Sequence, residues 1–403
     1  MAFNDDQIYE IFSWLSVKSL RKLASVSKQC KGFLSEPNFI RLQSHHATLK
    51  AAVADEGYFV QSKYGASWSF LPSLAMDSAS SVLPLDSLEF LGKQWLRIIS
   101  SSNGLLLCVQ TANYDPGSLY VVNPATQTWT TIPTPEEIKE MLRCDSYFDY
   151  GLGIVFEYIG SDVDFSDDYL LMVASKFGLI IYSPTTRTWE MRHRFVVRGN
   201  SYLRQDNQVY LKNIGVHFLC DKLHFSAIRP HIMAFSPSGG TTRLLKIPRD
   251  AWRRRDVCSS NLRIFRWKGN SYNGQPTISL VRLEKKKCFK VWVLKDYTNS
   301  LWTEILKVRV KVMAAGEVNP VVAGYAISGG SWLVFATARN LYKYNLEDKD
   351  FEKVQVVGRH GVFDPFDFCE HSAGGVDIFP YSSTLQQPWI RPVERIRVYS
   401  SPL

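Results

Sequence analysis

The run Asp162-Val163-Asp164-Phe165-Ser166-Asp167-Asp168 sets side-chain oxygens at alternate positions, as the opening of an EF-hand calcium loop does. Such a loop needs Gly at its sixth position and a bidentate Glu at its twelfth, and here Asp167 and Val173 stand there. The run therefore reads as an acidic loop between strands. The histidines His45-His46, His217, His224, His231, His360 and His371 offer no tight ligand spacing; His217 and His224 could meet across a hairpin, but no Cys or carboxylate joins them at ligand spacing. The seven cysteines, Cys30, Cys108, Cys144, Cys220, Cys258, Cys288 and Cys369, are scattered without a C-x-x-C pair and read as reduced core residues. Gly151-Leu152-Gly153 lacks the third glycine and the strand-to-helix setting of a phosphate loop, so it reads as the start of a strand. Nucleophile elbows, Walker loops and zincin helices are absent from the sequence. We expect no catalytic residues, no metal and no cofactor.

Charge and composition narrow the partners. The net charge of +9 would favour an acidic partner if it were gathered on one face, but the densest runs, Arg253-Arg254-Arg255 and Lys285-Lys286-Lys287, are short and each is flanked by an acid, Asp256 and Glu284. They read as solvated turns, and no nucleic-acid site is expected. Hydrophobic residues make up 45% of the 403 residues, aromatics 13% and charged residues 21%, which excludes wholesale disorder and suits a β-rich protein. The first residues lack a basic segment ahead of an apolar run, and no stretch is long enough to span a bilayer, so no secretory leader and no membrane partner are expected. A location in the cytoplasm, the nucleus or both follows as an expectation.

The elements that would position any site fall into two parts. Ile8, Ile11, Phe12 and Leu15 stand at i, i+3, i+4 and i+7, the stripe of a short amphipathic helix, and Asn4 with Gln7 resembles a capping box. Leu20, Leu23, Ala24 and Ser27, then Cys30, Phe33 and Leu34, continue the helical spacing until Ser35-Glu36-Pro37, and Phe39 with Leu42 suggests one further turn. About 45 residues cannot bury enough apolar surface to offset their chain entropy alone. This unit, residues 1–48, needs something to pack on, either a partner or the rest of the chain.

The second unit is residues 49–403: after about residue 95 the pattern changes to short apolar strands separated by turn residues, with one helical turn at Pro135 to Leu142, and the first blade, around Glu56 to Leu91, is the least regular. Leu119-Tyr120-Val121-Val122-Asn123-Pro124-Ala125-Thr126-Gln127-Thr128-Trp129 aligns residue by residue with Leu179-Ile180-Ile181-Tyr182-Ser183-Pro184-Thr185-Thr186-Arg187-Thr188-Trp189. Weaker copies place turn anchors at Pro124, Pro184, Pro237, Asp296 and Leu346, separated by 60, 53, 59 and 50 residues, the period of kelch-like propeller blades. The fold class is mainly β, a small helical motif followed by a kelch-like β-propeller. Gly104 to Val109, Tyr169 to Ser175, Val216 to Phe225, Thr277 to Arg282 and Trp332 to Ala336 supply upstream strands, and the C-terminal tail could supply a closing strand. Trp129, Trp189, Trp302 and Trp332 read as blade-core residues, and recognition residues are expected in the loops Tyr114 to Ser118, Ser161 to Asp168, Ser259 to Trp267 and Arg359 to Phe368.

The run from Ile8 through Leu20, with Val26-Ser27-Lys28-Gln29-Cys30 and Glu36-Pro37-Asn38-Phe39-Ile40, resembles the F-box. Ser16 stands where that family commonly has Pro, and Cys30 where it commonly has Trp. Ser102-Asn103-Gly104-Leu105-Leu106-Leu107-Cys108 and Tyr120 to Thr126 are similar to the F-box-associated domain of plant receptors. The resemblance implies a non-catalytic receptor subunit of an SCF (Skp/cullin/F-box) ubiquitin ligase. It would bind a Skp-type adaptor, and through it a cullin scaffold, by Ile8, Ile11, Phe12, Leu15, Val17, Leu20 and Val26, and would present a target protein on the propeller for ubiquitination. The target itself is not legible. A stand-alone propeller scaffold and a sialidase-like propeller glycosidase are the alternatives, the latter without the acidic turn residues and paired carboxylates it would require.

Overall fold

The computed structural model describes residues 5–51, 56–62, 68–73, 88, 96–111, 117–143, 153–159, 168–175, 178–193, 201–211, 215–222, 231–236, 241–251, 262–267, 277–314, 316–337, 340–349, 351–356 and 375–388. The acidic run 162–167, the tripeptide's Gly151 and Leu152, His224, and the loop 359–368 lie outside them, as does Asn4 of the expected capping box. Gly153 opens a strand, as its reading required.

Four helices come first: α1 (Asp5–Ser13), α2 (Val17–Val26), α3 (Lys28–Phe33) and α4 (Pro37–Ala51). Ser16 and Ser27 sit in extended conformation and cap α2 and α3, accepting from the backbone N–H of Ser19 at 3.2 Å and of Cys30 at 3.3 Å. Pro37 opens α4, where the missing N–H costs nothing. The fourth helix runs 15 residues rather than the single turn the sequence suggested, because its apolar positions beyond Leu42 are too sparse to advertise a stripe.

The strands then build sheets in chain order. They are β3 (Leu96–Ser102) to β6 (Thr128–Ile132) with β4 (Leu105–Gln110) and β5 (Leu119–Asn123) between; β7 (Gly153–Ile159), β8 (Asp168–Ser175), β9 (Gly178–Ser183) and β10 (Thr188–His193); and β11 (Ser201–Leu211), β12 (Gly215–Lys222), β13 (His231–Ser236) and β14 (Thr241–Lys246). Two more follow: β15 (Leu262–Trp267), β16 (Thr277–Glu284), β17 (Cys288–Asp296) and β18 (Leu301–Arg309), then β19 (Gly324–Ser328), β20 (Trp332–Ala336), β21 (Asn340–Asn345) and β22 (Phe351–Val356). A helix α5 (Glu136–Arg143) links β6 to β7, where the sequence placed its lone helical turn, and a short α6 (Val310–Met313) follows β18. The sixth sheet joins the two ends of the domain: β1 (Gly57–Ser62) pairs with β2 (Trp68–Pro72) on one side and with the C-terminal β23 (Val376–Tyr381) on the other.

Strands β3, β7, β11, β15, β19 and β23 neighbour one another in that cyclic order, so each is the inner strand of its sheet and the six sheets form a closed six-bladed propeller. The tail does supply the closing strand. Second and third strands are sandwiched between adjacent blades, so β4 and β5 are buried along their whole length and read as unbroken apolar runs. Fourth strands such as β6 alternate, because one face meets solvent at the rim.

The sequence repeat is the hairpin between third and fourth strands. At its start Asn123 Oδ1 accepts from the N–H of Ala125 (2.9 Å) and Thr126 (3.2 Å), and Asp296 Oδ1 and Asn345 Oδ1 do the same two and three residues on. Ser183 Oγ makes the weaker version, to Thr186 at 3.4 Å. Four residues after each of these, Gln127, Arg187, Ser300 and Lys349 take positive φ of 56°, 56°, 52° and 59°, closing the turn. The two best copies share a register: Trp129 faces Val122 and Trp189 faces the equivalent Tyr182, while the tilted ring contacts differ, Tyr120–Trp129 at 5.8 Å being diagonal and Tyr182–Trp189 at 5.2 Å directly opposed.

Two expectations need correction. The tryptophans divide: Trp129, on a rim strand, is 41% exposed, Trp189 and Trp302, also on rim strands, are half-buried against the blade cores, and Trp332 is half-buried on a second strand. Leu262 to Trp267 is not a recognition loop but the inner strand β15, whose Arg263 is buried and reaches Asp377 of β23 at 3.2 Å while donating to the Tyr325 carbonyl. Arg263 and Arg266 interrupt the apolar run of this strand, and the partners of Arg263 are remote in sequence.

Candidate adaptor-binding surface

The helices lie on the propeller and share its core. Tyr9 meets Phe33 and Phe39 edge-on at 5.2 and 5.1 Å, and Phe33 stacks on Phe39 at 5.4 Å. Burial, then the Glu36 carboxylate, pushes the Tyr9 hydroxyl up to about 12, so it stays protonated. Val17, Leu20, Phe39 and Ile40 then join one contiguous buried cluster with Phe59, Phe70, Tyr381 and Leu385 of the propeller. Val17 and Leu20 are 2% and 1% exposed, and each such burial stabilises by about 1.5–3 kcal/mol.

Polar bonds fix the docking. Residues 382–387, which follow β23, run buried between the helices and the first blade. Leu385 donates its N–H to Gln43 Oε1 of α4 at 2.9 Å, and Ser383 donates from both N–H and Oγ to the Glu56 carboxylate at 3.0 Å. Thr384 Oγ donates to the Asn103 carbonyl at 2.8 Å, and Asn123 Nδ2 donates to the carbonyls of Thr384 and Gln386. Gly104 must be glycine here: its φ is +74° and a Cβ would stand 2.4 Å from Thr384 Oγ1.

The seven residues assigned to adaptor binding are thus divided. Val17 and Leu20 are turned into the chain's own core; Ile8, Phe12 and Leu15 are half-buried, the last two packed against that core; Ile11 at 47% and Val26 at 82% are open. Trp14 and Leu49 are also exposed apolar residues of this unit, and neither was singled out from the sequence. Trp14 follows the α1 stripe by one helical step and was legible as such; Leu49 was hidden because α4 was read as ending near Leu42. Cys30, in place of the family's Trp, is buried as a free thiol and fills the position with a smaller apolar group. Among the described residues no group of three or more His, Cys, Asp or Glu side chains is gathered to hold a metal ion. His217 instead bonds Tyr297 Oη at 3.1 Å, tying one blade to the next.

Comparison with known proteins adds a family to this architecture. The family described as F-box protein At3g26010-like, beta-propeller, matches residues 76–372, most of the ring but not the helices. The F-box protein At5g07610 of Arabidopsis thaliana is 32% identical over 138 residues, 32% of this chain and 31% of that protein. The putative F-box protein At3g23970 of Arabidopsis thaliana is 25% identical over 131 residues, 31% of this chain and 32% of that protein. The chain thus spans about a third of the length of these curated relatives. Among solved structures, regucalcin from Agrobacterium tumefaciens is 12% identical with a TM-score of 0.36, covering 63% of this chain and 71% of that one, values too low to bear on function. Six blades closed by a C-terminal strand, a hairpin repeat anchored on Asn123 and Ser183, and a family match across residues 76–372 converge on one assignment: the chain belongs to the F-box protein At3g26010-like β-propeller family.

Proposed function

We propose that this protein is the target-binding subunit of an SCF-type ubiquitin ligase, docking a Skp-type adaptor and through it a cullin scaffold by its helices while the propeller holds a target protein. The observation that carries the reading is the division of the helical stripe: Val17 and Leu20 anchor the unit to the ring, while Ile11 and Val26 remain bare. Val26 ends a helix whose Val17 and Leu20 are buried and whose Leu23 and Ala24 are half-buried, and a partner surface covering it is the use that the F-box resemblance implies. The protein itself performs no bond chemistry in this reading. It raises the effective concentration of target lysines near a charged conjugating enzyme, in the cytoplasm, the nucleus or both.

Co-purification of the full-length chain with a Skp-type adaptor tests the reading, alongside Ile11→Asp and Val26→Asp. Both positions are open enough to accept a carboxylate without unfolding the core. Binding by the parent and loss in both variants supports the receptor role; a folded parent chain that leaves the adaptor unbound overturns it in favour of a propeller scaffold. The burial of Val17 and Leu20 is the specific observation favouring that second reading, since it withdraws two of the seven residues from any partner.

A further inference from the structure

The ring has two faces, and the helices occupy one. Because the strands of each blade alternate in direction, turns joining first to second and third to fourth strands lie on one face, and turns joining second to third strands lie with the blade-to-blade links on the other. Asn103 and Asn123, which hold the 382–387 segment beneath the helices, belong to turns of the first kind. Lys285-Lys286-Lys287, between β16 and β17, and residues 310–323, between β18 and β19, are of the second kind. The two are stitched into one surface by Val310 N–H on the Lys287 carbonyl at 2.8 Å and Val322 N–H on the Lys286 carbonyl at 3.2 Å.

This surface concentrates cations that the sequence leaves apart. All three lysines of the turn are exposed, as are Arg309 at the end of β18 and Lys311 in α6. Two nearby acids are engaged: Glu284 takes Lys290 at 3.0 Å and Arg282 at 3.7 Å, and Glu317 accepts from Thr337 and Tyr342, each at 2.8 Å. The same 310–323 segment carries exposed aliphatic side chains. Val312 and Val321 are open, and Val318 is 89% exposed.

The turn's backbone argues that these lysines are not chosen by the fold. Lys285 and Lys286 both have positive φ, 49° and 56°, and Lys287 N–H bonds the Glu284 carbonyl at 2.9 Å. Positive φ at two successive residues is the mark of a type I′ turn, whose central pair is ordinarily Asn-Gly, here set in the three-residue loop between Glu284 and Cys288. Two exposed lysines held side by side in a left-handed conformation are a local cost that points to use elsewhere.

We propose that this face of the propeller, opposite the helices, binds a target segment that carries carboxylates interleaved with aliphatic side chains. The proposal rests on the receptor reading only for the word target; the surface and its ligand chemistry stand on the geometry. Five exposed cations supply the charge complement, and the valines supply the dry contact that a purely electrostatic site lacks. A nucleic acid fits less well, because the patch has no exposed aromatic ring among the described residues on which a base could stack.

Fluorescence anisotropy with the full chain tests it, using a short labelled peptide of alternating Glu and Leu, the same peptide with Lys in place of Glu, and a single-stranded thymidine oligonucleotide. The acidic peptide should bind, and weaken with salt. The turn-preserving pair Lys285→Asn with Lys286→Gly, and separately Val318→Asp, should each lose about tenfold in affinity. Equal binding by parent and variants, no binding of the acidic peptide, or tighter patch-dependent binding of the oligonucleotide would overturn the proposal. Adaptor co-purification of the same variants keeps the two readings apart: the patch variants should retain the adaptor, whereas failure of the receptor reading shows as adaptor loss in the parent chain.

Discussion

Leu385 donates its backbone N–H to Gln43 Oε1 at 2.9 Å, joining the segment that follows the ring-closing strand to the last of the N-terminal helices. Gln43 also donates to the Leu15 carbonyl at 3.3 Å, so one buried amide bridges helix α4, the end of the α1 stripe and the C-terminal segment. The segment that follows ring closure is therefore also part of the seat of the helices. The helical unit, too small to fold by itself, obtains its core from the propeller rather than from a partner alone.

Gln43→Leu keeps the volume and removes both bonds, leaving a buried N–H and a buried carbonyl unpaired. A loss of about 1–3 kcal/mol is expected. Chemical denaturation followed in helices and ring separately should show both unfolding at one lowered midpoint. If only the helical signal shifts, the coupling is absent.

The rim tryptophans make a second measurable device. Trp302 Nε1 donates to the Lys246 carbonyl of the preceding blade at 2.8 Å, and Trp189 Nε1 donates to the Pro133 carbonyl in the same way, each 56 residues back. Trp129 has no such bond among the described residues, since the blade before it is the composite one of β2, β1 and β23. Trp302→Phe and Trp189→Phe should each cost about 1 kcal/mol, while Trp129→Phe stays near zero. Equal effects at all three positions in urea titrations would mean that the indole N–H is irrelevant to blade packing.

The β16–β17 turn gives a prediction of opposite sign. Replacing Lys285 by Asn and Lys286 by Gly relieves two left-handed lysines and should raise the unfolding free energy by on the order of 1 kcal/mol. Thermal melts of parent and variant decide it; a lower midpoint in the variant contradicts the strain argument.

The hairpin repeat was readable because its signals are local: an Asn, Asp or Ser that caps its own turn, a tryptophan two residues into the next strand, and apolar runs wherever both faces of a strand are covered. Inner strands escaped because they face the axis and admit residues such as Arg263 and Asp377, whose pairing across β15 and β23 no short window contains. The surface at the helices was half readable for the same reason. Periodicity found the stripe from Ile8 to Leu20, but which of its members meet the propeller depends on contacts with Phe59, Tyr381 and Leu385, remote in sequence. The cationic face was dismissed as separate solvated turns because only the fold brings Arg309 and Lys311 to the Lys285-Lys286-Lys287 turn.

The joint between α1 and α4 should respond to acid. His46 is buried under the Trp14 ring, stacked at 3.8 Å, with Nδ1 2.8 Å from Ser13 Oγ, and Ser13 donates to the Glu10 carbonyl at 2.6 Å. Burial holds the imidazole below its ordinary 6.5; Glu10, whose carboxylate lies 3.8 Å from Nε2, opposes that shift, while His45 and Lys50 reinforce it. The unfolded chain thus takes up a proton near pH 6.5 while the folded chain resists until lower pH, so stability is full above 6.5 and falls as the pH drops from there toward the folded value. Unfolding midpoints measured on either side of pH 6.5 should show this decline in the parent chain and a flatter profile in His46→Gln, which keeps a polar side chain beside Ser13 but cannot titrate. An unchanged slope in the variant would assign the acid sensitivity to other groups.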